Sequence, residues 1–258
     1  MLKKTIQDNI AIAQLSDGQT NAVTLDTLRR LKAVVDEVND TDTLKGLILT
    51  GEGRFFSSGF NLPMFISFET PGEVVDFFTE QEDILVDYFA CKKPVVCAMN
   101  GHSAALGMIL AMASDYRVVT NHPKIKLGMS EIKIGLSLTI AQSHIMRFGL
   151  NNDTTFRNMI YFGEMMGVDK AFELGIVDEV VEAENLIERA KEIIRLWIDT
   201  PNRPFIRLKQ DLKKETVGKI KAALDTENWQ DAISAALLNK EVKAALSFVQ
   251  AAMEKRIK

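Results

Sequence analysis

The chain has 258 residues, 47% of them hydrophobic and 26% charged, with a net charge of −4. That length suits one large core with or without an appendage, and the balance is that of an ordinary globular protein. No Lys/Arg block with interleaved aromatics is present, so nucleic acid is not an expected partner. No apolar run approaches the roughly 20 residues that span a bilayer, so neither is a membrane.

The start, "MLKKTIQDNIAIAQL", lacks the apolar stretch and small-residue cleavage site of a secretory leader. The end, "EKRIK", is not the peroxisomal tripeptide address. Cys91 and Cys97 flank an apolar stretch and read as buried thiols, not a disulfide framework. A reducing, cytoplasmic setting is therefore expected.

Short apolar strands then alternate with helices. Residues 9–15 and 46–51 read as strands. Leu25, Leu28, Leu31, Val35 and Val38 share one helical face, with Thr24 placed as an N-cap. Residues 71–89 are helical by spacing, with Pro71 near the start. A strand at 93–101 ends in a turn. It is followed by an apolar helix at 104–113, a strand at 115–120 and a short strand at 124–128. This alternation predicts an α/β class with βα crossovers. Beyond residue 139 the pattern turns helical, with Gly149 read as a helix stop, then a short strand in "IVDEVV" and an amphipathic helix up to about 199. After "TPNRP" three helical segments remain. The expected organisation is a core over 1–200 and a helical oligomerisation region over 201–258. The apolar residues of the latter, Ala222, Ala223, Trp229, Ala232, Ile233, Ala236, Leu237 and Phe248, are expected to pack between subunits.

Three stretches carry candidate chemistry. "GRFFSSGFNL" (53–62) follows a strand and is either a surface turn or a loop whose N–H groups face a ligand. It lacks the endings of a P-loop or a dinucleotide fingerprint. "NGHSAALGMILAMASDY" (100–116) is a turn feeding an apolar helix. That is a core helix by default, yet its first N–H groups can hold an anion. "KLGMSEIKIGL" (126–136) sets Glu131 among Leu127, Met129, Ile132, Ile134 and Leu136. A glutamate near a strand end is ordinarily solvated. Apolar neighbours would instead raise its pKa and suit proton transfer near neutral pH. His102, His122 and His144 share no metal-ligand spacing, so no metal is expected. The absence of Gly-x-Ser-x-Gly argues against a serine hydrolase. Phe55, Phe56, Phe60, Phe65 and Phe68 read as core, with part of the cluster beside an acyl chain.

At these residues the sequence resembles the crotonase, or enoyl-CoA hydratase/isomerase, superfamily. The resemblance runs from "NAVT" (21–24) through "GRFFSSGFNL", "KPVVCAMNGHSAALGMILAMASDYRV" and "LGMSEIKIGL" to "KAFELGIVDEVV". Within the superfamily it is closest to the monofunctional 3-enoyl-CoA to 2-enoyl-CoA isomerases, especially the plant-type members. The resemblance implies a ββα spiral core with a C-terminal helical trimerisation region, assembled as a homotrimer or a hexamer of two trimers. It implies an acyl-CoA substrate. Coenzyme A is then part of that substrate, and no separate cofactor is expected. The implied oxyanion hole uses the N–H groups of Phe60, after Gly59, and Leu106, before Gly107. Loop carbonyls around Ser57 and Ser58 would hold the adenine end, and Met64 joins the substrate-binding set. A two-carboxylate hydratase has glutamates at positions that fall here on Ile109 and Glu131. With Ile109 apolar and "LSLTI" (136–140) free of acids, Glu131 is the sole implied base. Double-bond isomerisation is therefore expected, in β-oxidation of unsaturated acyl chains, with hydration or another acyl-CoA lyase or hydrolase reaction as the alternative.

Overall fold

A computed structural model describes residues 1–257 of the chain. Its main sheet has six strands, ordered Leu2–Gln7, Ile10–Leu15, Gly46–Gly51, Val95–Met99, Tyr116–Thr120 and Glu179–Val181. The first two are antiparallel and every later pairing is parallel. Apolar residues on both faces of the central strands explain why they read as continuous runs: Gly46–Gly51 and Val95–Met99 are buried throughout. One face is covered by helices Leu25–Asp40, Pro71–Phe89 and Leu106–Ala113. The other is covered by Leu186–Ile198, whose Ala190, Ile193, Ile194 and Ile198 pack on Ile10, Ile48, Val96 and Val118.

Helix starts follow the local chemistry. Thr24 caps the helix Leu25–Asp40 through the Thr27 N–H. Thr70 and Glu73 form a capping box at the start of Pro71–Phe89. Three expectations are corrected. The first strand, Leu2–Gln7, was not anticipated; only Leu2 is buried, so no alternation betrays it. Of 124–128 only Leu127–Gly128 is strand, because Ile125 N–H closes a turn on His122 O. Gly149 does not stop its helix, which runs Ile140–Leu150 and ends at Asn151 in the left-handed region. Gly149 is small because a Cβ there would lie 2.7 Å from the Met112 Cβ.

The boundary near residue 200 falls in a turn. Beyond it lie helices Pro204–Thr226, Trp229–Leu238 and Lys240–Ile257. These share apolar clusters with the earlier chain. Ile220 joins the main core, while Ile233, Leu237, Val242 and Leu246 pack with Phe65, Phe68, Phe77 and Phe78. Ile233 and Leu237, expected to pack between subunits, thus pack within their own chain. Phe248, Leu208 and Leu212 stay exposed.

Candidate active site

A second sheet positions the candidate residues. Its strands are Phe55–Ser57, His102–Ala104, Leu127–Gly128 and Met165–Met166, of which the first three run parallel side by side. They therefore finish at one edge. Each hands its chain to one of the stretches singled out above: Ser58–Phe60, Ala105–Leu106 and Met129–Glu131.

The first loop is fixed from beneath. Ser57 is fully buried; its Oγ donates to Asn21 O at 2.9 Å and accepts from Gly59 N–H at 3.1 Å. Asn21 in turn donates to Glu52 O and Phe55 O. Gly59 adopts φ +98°, and a Cβ there would stand 2.6 Å from the Ala105 Cβ and 3.3 Å from Leu106 N. Only glycine lets the two loops approach this closely.

The second loop is strained. Ala105 has φ 52° and ψ −126° at the N-cap of Leu106–Ala113, a region that L-residues rarely adopt. It reverses the chain so that the helix begins at Leu106, whose N–H has no intrahelical acceptor. Among the described residues, neither Phe60 N–H nor Leu106 N–H donates to a backbone or side-chain acceptor. Gly107 lies buried beneath the helix start against Ser57 and Ser103.

Glu131 opens a short 3-10 turn, Glu131–Ile134, closed by Leu136 N–H on Glu131 O. The residue as a whole is half-buried, yet protein atoms crowd its carboxyl group. Burial raises its pKa to about 6, against the lowering pull of its own N–H and that of Ser130, which donates at 2.8 Å. Of its sequence neighbours, Leu127 and Met129 are themselves buried, whereas Ile132 is exposed.

Phe60, Leu106, Ile109 and Glu131 line one cavity of about 30 Å³, closed by Phe65, Phe78, Leu136, Ser137, Thr139, Gln142, Ile233 and Leu237. Glu131 is its one ionisable lining residue. Phe60 also borders an outer cleft of about 240 Å³, where Ser58 and Asn61 face Asp17–Thr20 and the last helix through Gln250 and Met253. Ser57 lies behind this cleft. Met64 lines neither space; it packs against the aromatic cluster. Among the described residues no cluster of His, Cys, Asp or Glu could hold a metal, and no helix is long and apolar enough to cross a membrane. Cys91 and Cys97 are both free and buried.

One polar group was missed from the sequence. Glu82, almost wholly buried, accepts from Thr139 Oγ1, from Ala141 N–H at 2.6 Å and from Gln81 Nε2 at 3.0 Å. Burial raises its pKa despite these donors. It tethers the Thr139 and Gln142 wall: Gln142 Nε2 donates to Gln81 Oε1 at 2.8 Å, and Thr139 N–H donates to Gln142 Oε1 at 3.2 Å. In sequence it is one carboxylate of several in "TEQEDILVD", with no signal to separate it.

Two amides without acceptors beside a crowded carboxyl group at one sheet edge form a site able to bind a carbonyl oxygen and move a proton next to it. The sequence matches the enoyl-CoA hydratase/isomerase family over residues 5–256, and the chain belongs to that family. It is similar to the mouse mitochondrial enoyl-CoA delta isomerase 1, 22% identical over 90% of this chain and 81% of the mouse protein. The human mitochondrial delta3-delta2-enoyl-CoA isomerase shares the fold, with a TM-score of 0.89 at 18% identity over 99% of this chain and 98% of that one. A probable enoyl-CoA hydratase of Mycobacterium tuberculosis H37Rv gives a TM-score of 0.77 at 26% identity, over 91% of this chain and 94% of that one.

Proposed function

We propose that the protein moves the double bond of a 3-enoyl-CoA to the 2-position, with Glu131 as the only proton carrier. The observation that carries this reading is the lining of the 30 Å³ cavity, where Glu131 and the apolar Ile109 stand with Phe60 and Leu106, two residues whose N–H groups have no acceptor. The thioester carbonyl takes the Phe60 and Leu106 N–H groups. Glu131 removes a C2 proton, the two amides stabilise the dienolate oxygen, and the same carboxylic acid returns the proton at C4. Hydration needs a water activated at C3 as well, and Ile109 offers it no hydrogen bond. The coenzyme end lies in the outer cleft beside Ser58, so that Phe60 sits where the two spaces meet. At about 30 Å³ the empty cavity is one water molecule's share of liquid volume, so a bound acyl chain displaces part of its wall. Within the described helices beyond residue 200, Leu208, Leu212 and Phe248 are exposed large apolar residues available for subunit contact in the expected trimer.

Purified protein given 3-enoyl-CoA should form the conjugated 2-enoyl thioester, with little 3-hydroxyacyl product from 2-enoyl-CoA. Hydration as fast as isomerisation would overturn the reading. Gly59→Ala tests the amides, since the added Cβ must push Ala105 or Leu106 away. A loss of roughly 10²–10³ in kcat is expected, the typical cost of one oxyanion donor. Unchanged kcat in a folded Gly59→Ala protein would remove the paired amides from the mechanism.

A further inference from the structure

Glu131, Leu136 and Ser137 border a second cavity as well as the first. This outer space has about 330 Å³, against about 30 Å³ for the inner one. It lies between the 129–138 segment and the helix Asp153–Phe162. Met129, Ile132, Leu138, Phe156, Ile160 and Tyr161 line it, and Glu131 is its only charged residue. We propose that this cavity holds the distal end of the acyl chain, and that the substrates are medium or longer straight-chain thioesters. The inference rests on the reading that an acyl-CoA occupies the Glu131 cavity, and it goes further by assigning the tail a path and a length class.

The alternative path is closed by packing. On the other side of the inner cavity Phe60, Phe65, Phe77 and Phe78 stand with ring centroids 5.0–6.2 Å apart. Ile233 and Leu237 back them. A tail directed there must break a close-packed aromatic cluster. A tail directed past Glu131 need only shift Leu136 or Ser137, which form the partition between the two spaces. That route also suits the chemistry, because carbons C2 to C4 must lie against Glu131 and the rest of the chain continues beyond it. The outer space is open at its rim, where Tyr161 is 61% and Ile132 47% exposed. It therefore does not cut off chain length sharply.

The test is a binding ladder with saturated thioesters, which need no turnover. Affinity for butyryl-, hexanoyl-, octanoyl- and dodecanoyl-CoA should rise two- to fourfold per added methylene as the tail enters apolar surroundings, the upper figure corresponding to about 0.8 kcal/mol per buried CH₂. Ile160→Trp fills the outer cavity from its half-buried wall. It should flatten the ladder beyond hexanoyl-CoA while butyryl-CoA binds as in wild type. Ile160→Ala strips apolar surface from the wall on which the tail packs; it should weaken dodecanoyl-CoA several-fold while butyryl-CoA binds as in wild type, and this arm stands if the tryptophan protein does not fold. Phe77→Leu loosens the aromatic side and should leave the ladder unchanged. A ladder that ignores both Ile160 changes, or that responds to Phe77→Leu instead, overturns the proposal. Isomerisation of 3-enoyl-CoA followed alongside separates the two failures: an altered ladder without isomerase activity sinks only the assigned reaction, and activity with an indifferent ladder sinks only the tail path.

Discussion

Glu131→Gln should lower the isomerisation kcat by roughly 10²- to 10⁴-fold, the usual worth of one positioned acid–base group. Glutamine keeps the volume and can still accept the Ser130 N–H, which donates to the carboxylate at 2.8 Å in the wild type. It cannot take a proton from C2. Acyl-CoA affinity should change little, because the Phe60 and Leu106 amides and the outer cleft are untouched. The pH profile supplies an independent check. Burial lifts the Glu131 pKa to about 6, and the base acts only when ionised, so wild-type activity should rise with pH through about 6 and then level. Any residual activity of the variant should lack that limb.

Stability should move the other way. A carboxyl group whose folded pKa is raised binds more protons folded than unfolded between about 4.5 and 6, so it stabilises the fold less as pH rises through that window. At pH 7 the ionised Glu131 is a cost, on the order of 1 kcal/mol once its partial exposure is allowed for. Glu131→Gln removes it and should melt slightly higher. A variant that keeps near-normal turnover, or that loses activity only by unfolding, would strip Glu131 of its proposed role.

What the sequence revealed and what it hid divide along physical lines. Local chemistry was readable. Thr24 before an amphipathic run does cap its helix, and the all-apolar strand Gly46–Gly51 does lie inside the sheet. The apolar flanks of Glu131 did foretell its raised pKa, although one of them, Ile132, is itself exposed. A local signal was also overlooked. Asp8 and Asn9 both have positive φ and join two antiparallel strands, and such a pair between "KKTIQ" and "IAIAQ" is a hairpin turn. What stayed illegible depends on partners far along the chain. Ile233 and Leu237 close the Glu131 cavity from about a hundred residues away; their helical spacing says that they are covered, not by what. Glu82 and Thr139 meet only after folding. Gly149 sits inside its helix, which runs on to Asn151, and it is glycine because Met112, on another helix, occupies the space that a Cβ would need.

The same dependence on distant partners makes Asp115→Asn the substitution expected to cost most stability. Asp115 is buried between the helix Leu106–Ala113 and the strand Tyr116–Thr120. Its carboxylate meets Lys209 Nζ at 2.5 Å and Lys213 Nζ at 2.8 Å, and it accepts Val95 N–H at 2.8 Å. The two lysines lie one turn apart on Pro204–Thr226 and also donate to Lys93 O, Phe89 O and Ala113 O. They thereby pin the C-terminal helices to the base of the helix that presents Leu106. Burial alone would raise the Asp115 pKa, but the two ammonium groups outweigh it and hold the carboxyl below its ordinary range. Asparagine keeps the shape and leaves two buried ammonium groups without a counter-charge, a change that typically costs about 3–5 kcal/mol. The loss should depend on pH in a fixed sense. Burial already lowers the Lys213 pKa to about 8 from 10.5, so above pH 8 the unfolded chain binds more protons than the folded one and stability rises with pH. Without Asp115 the lysine should shed its proton at still lower pH, so Asp115→Asn should be most destabilising near pH 6.5 and recover part of the loss near pH 9.5. Denaturant unfolding at both pH values measures this. An apolar replacement of all three (Asp115→Leu, Lys209→Met, Lys213→Met) should recover most of the stability, since it removes the stranded charges together with their partner. Equal losses at the two pH values, or a loss under about 1 kcal/mol, the scale of an ordinary neutral hydrogen bond, would show that the tail is held by its apolar contacts and not by this charge cluster.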